Sequence, residues 1–225
     1  MRTICMIPAR LGSKRVEDKV IRPLNGKPLV QYALDSAKKV FPRRDLYLNS
    51  SFDELEDIAK KNKIQFYRRD PKLSEDTAVL DDIMYDFFKN IECDIAIHFN
   101  LTSPFITEKD LKDFTDYMIK KDLDYLISVK EERIEIVYDG KPLNYNQNKR
   151  KINSQNLKPA LIFTSGLCGF KKDVFVKNFE NYKAASFGHT GDKIEYYTLK
   201  GFSTIDIDWE EDFQLAEVIA QNFNI

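Results

Sequence analysis

The sequence is poor in the residues that most often carry metal or redox chemistry. Its 225 residues include three cysteines, two histidines and one tryptophan. The cysteines lie far apart and match no metal-binding spacing, and Cys5 and Cys168 fall within apolar runs. We therefore expect reduced thiols and a cytoplasmic protein. His98 is interpreted as a core or rim residue, and the sequence assigns no role to His189.

The chain is also almost neutral, with a net charge of −1, and it has no long apolar run. The chain has 35 Lys and Arg against 36 Asp and Glu. A protein that coats nucleic acid needs a positive field, so we expect no nucleic-acid partner. No apolar run approaches the ~20 residues that cross a bilayer, and no leader is recognisable before the first strand, so we expect no membrane association. The length favours a single domain over residues 1–225.

Several well-known catalytic motifs do not occur. There is no Walker A sequence and no Gly-x-Gly-x-x-Gly, which removes support for P-loop hydrolysis and for hydride transfer from a dinucleotide. There is likewise no Gly-x-Ser-x-Gly elbow and no His-Glu-x-x-His helix, so acyl transfer and zinc-dependent hydrolysis have no support.

Strand and helix patterns alternate along the first 130 residues. Buried strands are predicted at 2–7, 46–48, 64–67, 95–99 and 125–129. Helices are predicted at 28–40, 53–61 and 107–120, and a further one follows an N-cap near residues 73–77. This alternation predicts an α/β fold in three layers, with a mostly parallel, Rossmann-like sheet.

The second half of the chain contains a polar excursion at residues 131–158. Asp139-Gly140 predicts a hairpin turn within it, and its composition suggests a lid, a dimerisation arm or both. Strand patterns return at 161–163, 167–170 and 194–197. Helices are predicted at 172–179 and 209–221.

The first predicted strand ends at Pro8 in a loop of small and basic residues. Seven of the first 27 side chains are basic, against two acids. Such a loop can direct backbone N–H groups and cations at one point, which is how proteins hold phosphates. A solvated surface is the commoner explanation of a basic loop, but its position after the first strand of an α/β sheet favours a phosphate site.

Asp206 and Asp208 alternate with Ile207 near the end of the chain. In a strand, both carboxylates would point to the same face and could share Mg²⁺, which prefers carboxylate, water and phosphate oxygens. Alone, this pair is more often two exposed acids on an edge strand. Combined with the basic loop, it favours a metal-dependent phosphate site.

Five stretches together resemble the acylneuraminate cytidylyltransferases, also called CMP-sialic acid synthetases. They are Ile7-Pro8-Ala9-Arg10-Leu11-Gly12-Ser13-Lys14-Arg15 with Lys19 and residues 25–29, Leu73-Ser74-Glu75-Asp76, Leu101-Thr102-Ser103-Pro104, residues 154–159, and residues 206–212. Their order and spacing span nearly the whole chain. The resemblance implies an α/β nucleotidyltransferase that binds CTP, uses Mg²⁺ and forms a homodimer.

The resemblance also implies roles for individual residues. Nucleotide binding is expected at Ala9, Arg10, Leu11, Gly12, Ser13, Lys14, Lys19, Ser74 and Asp76. Acceptor binding is expected at Asn100, Thr102, Ser103 and Gln155. Metal binding is expected at Asp206 and Asp208, and catalysis at Arg10, Lys14, Lys19 and Asp208. Residues 131–158 correspond to the family's dimerisation region, which reaches the partner's active site.

Three single positions and one stretch depart from the family pattern. Val20 stands where the family has Asn, Asn100 where it has Gln, and Asn153 where it has Arg. The fourth departure is Ser165-Gly166-Leu167-Cys168-Gly169-Phe170, where sialic acid enzymes often read Asn-Gly-Ala/Ser-Ile-Tyr. Three of these four departures lie on the acceptor side. The sequence therefore predicts the nucleotide, CTP, and does not identify the acceptor.

The predicted reaction is transfer of CMP from CTP to a 2-keto-3-deoxy sugar acid, a sialic acid or related nonulosonic acid, with release of pyrophosphate. Two alternatives stay open. One is the same chemistry on another acceptor, such as 3-deoxy-manno-octulosonate. The other is a catalytically silent nucleotide-binding module, which Val20 and Asn100 suggest.

Overall fold

The computed structural model describes residues 1–223. The strands, in chain order, are β1 (Thr3–Pro8), β2 (Pro23–Leu24), β3 (Lys27–Pro28), β4 (Leu46–Ser50), β5 (Gln65–Arg68), β6 (Ile95–Phe99), β7 (Tyr125–Glu132), β8 (Val137–Tyr138), β9 (Lys141–Pro142), β10 (Ala160–Lys171) and β11 (Ile194–Thr198). The helices are α1 (Leu29–Val40), α2 (Asp53–Asn62), α3 (Leu80–Asn90), α4 (Glu108–Lys121), α5 (Lys172–Tyr182) and α6 (Glu210–Asn222).

Seven strands form one sheet in the order β11-β7-β10-β6-β1-β4-β5. All neighbouring pairs are parallel except those of β10, which runs antiparallel to both β6 and β7. The predicted α/β fold with a mostly parallel sheet is therefore confirmed. Every residue of β4 and β6 is buried, as expected for central strands that helices cover on both faces.

Two apolar clusters fill the two faces of the sheet. One lies under α1, α4 and α6 and includes Leu34, Phe114 and Phe213; the other lies under α3 and α5 and includes Phe88 and Phe175. No helix in residues 1–223 combines the length and apolar character needed to cross a membrane.

Most of the predicted elements occur within a few residues of their expected bounds. Thr107 caps α4 as predicted: its hydroxyl accepts from the backbone N–H of Asp110, whose carboxylate accepts from the Thr107 N–H. Residues 137–142 form the small hairpin β8–β9 around Asp139-Gly140, as predicted.

Two local predictions are wrong. Residues 205–208 are not a strand; they follow a 3₁₀ turn at Gly201–Thr204 and lie outside the sheet. The Ile207 N–H donates to the carbonyl of Thr102, in the turn after β6, at 2.9 Å. In addition, α3 begins at Leu80 rather than directly after residues 73–77, so its first-turn acids are Asp81 and Asp82. Asp76 is therefore left in an exposed loop.

Candidate active site

A cleft of about 410 Å³ lies at the carboxyl edge of the sheet, where β1 and β6 end. This is the edge at which open α/β sheets bind ligands. Eight predicted site residues line the cleft: Arg10, Ser13, Lys14, Lys19, Asp76, Asn100, Thr102 and Asp208. The N-terminal loop and Asp208, nearly 200 residues apart, thus meet in one place.

The loop after β1 turns sharply at Gly12, whose φ is +76°. This left-handed conformation suits glycine and lets the chain reverse before Ser13 and Lys14. Ala9 is buried, and its N–H donates to the Asn49 carbonyl at the end of β4 at 2.9 Å. The loop is thus fixed to two adjacent strands at its start, while Lys14 remains exposed.

The cleft is positively charged overall. Four cationic side chains, Arg10, Lys14, Arg15 and Lys19, face the two carboxylates of Asp76 and Asp208. An excess of cations over acids in a concave site concentrates field on an anionic ligand. The cleft therefore suits a polyphosphate better than a neutral molecule.

Asp76 pairs with the two cations nearest the tip of the loop. Its carboxylate lies 2.7 Å from Arg10 Nη1 and also contacts the Lys14 ammonium. Hydrogen bonds from Lys14 and Arg10 lower the pKa of this exposed carboxyl group. Because all three groups are solvent-accessible, the pairs are weak enough for a more highly charged anion to replace Asp76.

Lys19 lies deeper than the other cations. Its Nζ donates to the Ile207 carbonyl at 2.8 Å and lies 3.9 Å from the Asp208 carboxylate. Burial lowers its pKa, opposed by the charges of Asp208 and Asp206. Lys19 is therefore a fixed cation that joins the N-terminal loop to the segment at residues 205–208.

Asp206 and Asp208 occupy different environments. Asp206 is largely enclosed and accepts a hydrogen bond from the Thr102 hydroxyl, and burial raises the pKa of its carboxyl group. Asp208 faces the cleft, 2.8 Å from Arg15 Nη2. The Asp212 carboxylate accepts from the backbone N–H groups of Asp208 and Trp209, which holds this corner at the start of α6.

These two carboxylates are compatible with a magnesium ion. Within residues 1–223 no group of three or more His, Cys, Asp or Glu side chains forms a metal cage. Magnesium does not require one, since it is commonly held by one or two carboxylates together with water and substrate phosphate oxygens. Asp206 and Asp208 supply that donor set beside a cleft suited to phosphates.

Four further predicted residues do not line the cleft: Ser74, Ser103, Leu11 and Gln155. Ser74 is in the 3₁₀ turn Pro71–Ser74, where its hydroxyl contacts the Ser51 hydroxyl at 2.7 Å. Ser103 is only 1% exposed, packed against the backbone at Gly166. Leu11 packs against the core. Gln155 is exposed in the 3₁₀ turn Ser154–Asn156 of the excursion and does not line the cleft.

Two of the residues that depart from the family pattern, Val20 and Asn100, lie at the cleft. Val20 is 5% exposed and belongs to the apolar cluster beneath α1, although it also borders the cleft. Asn100 lines the cleft, and its backbone carbonyl accepts from the Ser103 N–H at 3.1 Å. Val20 therefore replaces a polar group with packing, whereas Asn100 keeps an amide at the cleft.

Three polar residues without a predicted role lie at or near the site. Arg15 lines the cleft, while Arg69 and Asn49 are buried behind it; the Arg69 guanidinium donates to the Ala9 carbonyl at 3.2 Å. Burial lowers the pKa of Arg69 to about 10. Asn49 directly follows the apolar residues of β4. Its position at the carboxyl end of a strand is the sequence feature that could have predicted its place near the site.

The architecture is that of the α/β nucleotidyltransferase fold, with a basic cleft at the carboxyl edge of its sheet. A family model described as "Cytidylyltransferase" matches residues 4–223. The chain belongs to this cytidylyltransferase family.

The chain is also similar to individual curated members of this family. The chain is 28% identical over 222 residues to an N-acylneuraminate cytidylyltransferase of Streptococcus agalactiae serotype V, covering 95% of this chain and 52% of that protein. It is 27% identical over 137 residues to a pseudaminic acid cytidylyltransferase of Campylobacter jejuni, covering 58% and 59%. The chain thus spans about half the length of the N-acylneuraminate relatives that it matches.

Solved structures agree with this fold. A CMP:2-keto-3-deoxy-manno-octonic acid synthetase complexed with CTP superposes with a TM-score of 0.75 at 17% identity, covering 99% of this chain and 100% of that one. A cytidylyltransferase from Leptospira borgpetersenii gives a TM-score of 0.69 at 16% identity, covering 100% and 89%. At these identities the likeness concerns the fold.

Proposed function

We propose that this chain transfers CMP from CTP to a hydroxyl group of a 2-keto-3-deoxy sugar acid, a sialic acid or related nonulosonic acid. The observation that carries the proposal is the convergence of the N-terminal basic loop and Asp208 on one cleft, in a chain of the cytidylyltransferase family. The relatives named for N-acylneuraminate and pseudaminic acid support this class of acceptor.

In this reaction the acceptor oxygen bonds to the α-phosphorus of CTP, the bond from that phosphorus to the pyrophosphate breaks, and the hydroxyl proton is released. Arg10 and Lys14 exchange their bonds to Asp76 for bonds to phosphate oxygens. Lys19, fixed at the Ile207 carbonyl, neutralises charge deeper in the cleft. Alignment and charge neutralisation account for most of the rate gain in such transfers.

Asp208 and Asp206 are the residues that would hold magnesium in this cleft. The ion would supply neutralisation of the triphosphate charge that accumulates as pyrophosphate departs. Asn100 and Thr102, at the end of β6, border the same cleft and are placed to contact the acceptor.

The proposal includes a homodimer in the cytoplasm. Five large apolar side chains of the excursion at 131–158 are about half exposed or more: Ile134, Val137, Tyr138, Leu143 and Ile152. A concentration of exposed apolar groups on one segment is typical of a protein interface. The three free thiols fit a reducing compartment. A monomer mass in sedimentation equilibrium would contradict the dimer.

The deciding experiment measures pyrophosphate release from CTP with a panel of sugar acids: N-acetylneuraminate, a pseudaminate-type acid and 3-deoxy-manno-octulosonate. We expect turnover with a nonulosonic acid, reduced on the order of 100-fold or more in Asp208→Asn. Turnover with only 3-deoxy-manno-octulosonate would reassign the acceptor. Calorimetric binding of CTP without turnover for any acceptor would indicate a silent module instead.

A further inference from the structure

Asp208 has a cationic partner in the cleft. The Arg15 guanidinium lies 2.8 Å from its carboxylate and 5.3 Å from the centre of the Trp209 ring. Both members of the ion pair are about half exposed, so the pair can open without disturbing the core. The Trp209 ring is itself 57% exposed, and the flanking guanidinium is its only cation–π partner within the described residues.

The other cation beside Asp208 cannot move in the same way. Lys19 is mostly buried, is bonded to the Ile207 carbonyl at 2.8 Å, and lies 3.9 Å from the carboxylate. Arg15 is therefore the movable counter-ion of this site. A divalent cation that binds Asp208 must replace the guanidinium, because two cations at one exposed carboxylate repel each other.

We infer that Arg15 is a positioning residue that pairs with Asp208 beside the Trp209 ring and is released when a divalent cation binds there. Once released, the guanidinium remains in the cleft and adds a cation for the incoming phosphates. This inference rests on the proposed function, since it takes Asp208 as the metal-binding carboxylate.

The chain supplies a matched control. Arg22 forms the same combination of contacts at the same helix: its guanidinium makes two bonds of 2.8 Å to the Glu210 carboxylate and lies 3.9 Å from the centre of the Phe213 ring. Arg22 does not line the cleft. Arg22→Gln therefore removes an equivalent charge and cation–π contact without removing a counter-ion of Asp208.

The first test measures binding of Mn²⁺ alone, without nucleotide, by electron paramagnetic resonance. We expect Arg15→Gln to bind Mn²⁺ about two- to five-fold more tightly than wild type, the range that an exposed ion pair supplies. Arg22→Gln should bind like wild type, and Asp208→Asn should lose the site. Equal or weaker binding in Arg15→Gln, or no Asp208-dependent binding in any variant, overturns the inference.

The second test uses Trp209, the single tryptophan of the chain. Mg²⁺ should change its emission in wild type and in Arg22→Gln, since the guanidinium leaves the ring, and should change it far less in Arg15→Gln. The same change in all three proteins would contradict release of Arg15. Failure of the proposed function is seen separately, as absence of CTP turnover in a protein that still binds Mn²⁺ at Asp208.

Discussion

At the scale of single residues, the cationic side chains of the cleft differ in how deeply they are buried. Lys14 is the most exposed of the cations and pairs only with Asp76 in the described structure, whereas Lys19 is fixed by a backbone carbonyl. Surface cations can be removed with little effect on folding, because exposed ion pairs contribute at most about 1 kcal/mol. Their contribution to ligand binding is larger when the ligand is a polyphosphate.

Lys14→Ala should therefore weaken CTP binding without loss of stability. Charge-assisted hydrogen bonds contribute about 1.5–3 kcal/mol, which corresponds to roughly ten-fold or more in Kd. Isothermal calorimetry with CTP measures the effect. Lys39→Ala is the control, since Lys39 is also exposed and pairs with one acid, Glu108, away from the cleft. An unchanged CTP affinity in Lys14→Ala would count against the phosphate loop.

At the scale of elements, the start of α4 supports the segment that carries the site acids. The Asp110 carboxylate accepts from the Thr107 N–H and hydroxyl and also from the Ser203 hydroxyl at 2.8 Å. Ser203 lies in the 3₁₀ turn that leads directly into residues 205–208. The residues that cap α4 therefore also hold the 3₁₀ turn that precedes Asp206 and Asp208.

Thr107→Ala should lower the free energy of unfolding by about 1 kcal/mol, because it removes the capping hydroxyl. Urea titration followed by circular dichroism gives the value. The neighbouring Glu108→Ala removes an exposed pair with Lys39 and one acid of the first turn but no capping hydroxyl, and it should change stability by less than about 0.5 kcal/mol. Equal effects of the two substitutions would mean that the cap contributes nothing beyond the ion pair.

At the scale of the whole molecule, one buried titratable group lies at the centre of the sheet. His98 on β6 is 6% exposed and pairs in register with Met6 of β1 and Cys168 of β10. Its Nδ1 has no hydrogen-bond partner among the described residues. Burial lowers the pKa of this imidazole to about 4. The expectation of a core residue is confirmed.

This burial makes stability depend on pH. The unfolded histidine, with a pKa near 6.5, binds a proton between about pH 4 and 6.5 while the folded one does not, so stability falls as pH falls through this window. From pH 7 to pH 5 the loss attributable to His98 should be about 2 kcal/mol.

The measurement compares urea unfolding of wild type and His98→Gln at both pH values. Carboxylates titrate in both proteins, so the difference between their pH dependences isolates the imidazole. His189→Gln, at a partly exposed loop position, serves as a second control. Parallel pH profiles for wild type and His98→Gln would show that the buried imidazole is not responsible.

The sequence by itself determined the layered α/β fold, because unbroken apolar runs stop at polar or proline positions and helical periodicity separates them. It also determined the family and the basic loop, since Arg10, Lys14 and Lys19 are local in the chain. Thr107 as a cap and Asp139-Gly140 as a turn were likewise readable, because both depend on neighbouring residues.

Only the tertiary structure decided what surrounds each charge. Residues 206–208 alternate like a strand, yet their pairing depends on Thr102, about a hundred residues away, and the sheet order leaves them outside it. The sequence does not distinguish Arg15 from the other basic residues of the loop, and only the fold places it beside Asp208. Burial and long-range charge pairing arise from packing, and a linear pattern does not specify which distant groups will meet.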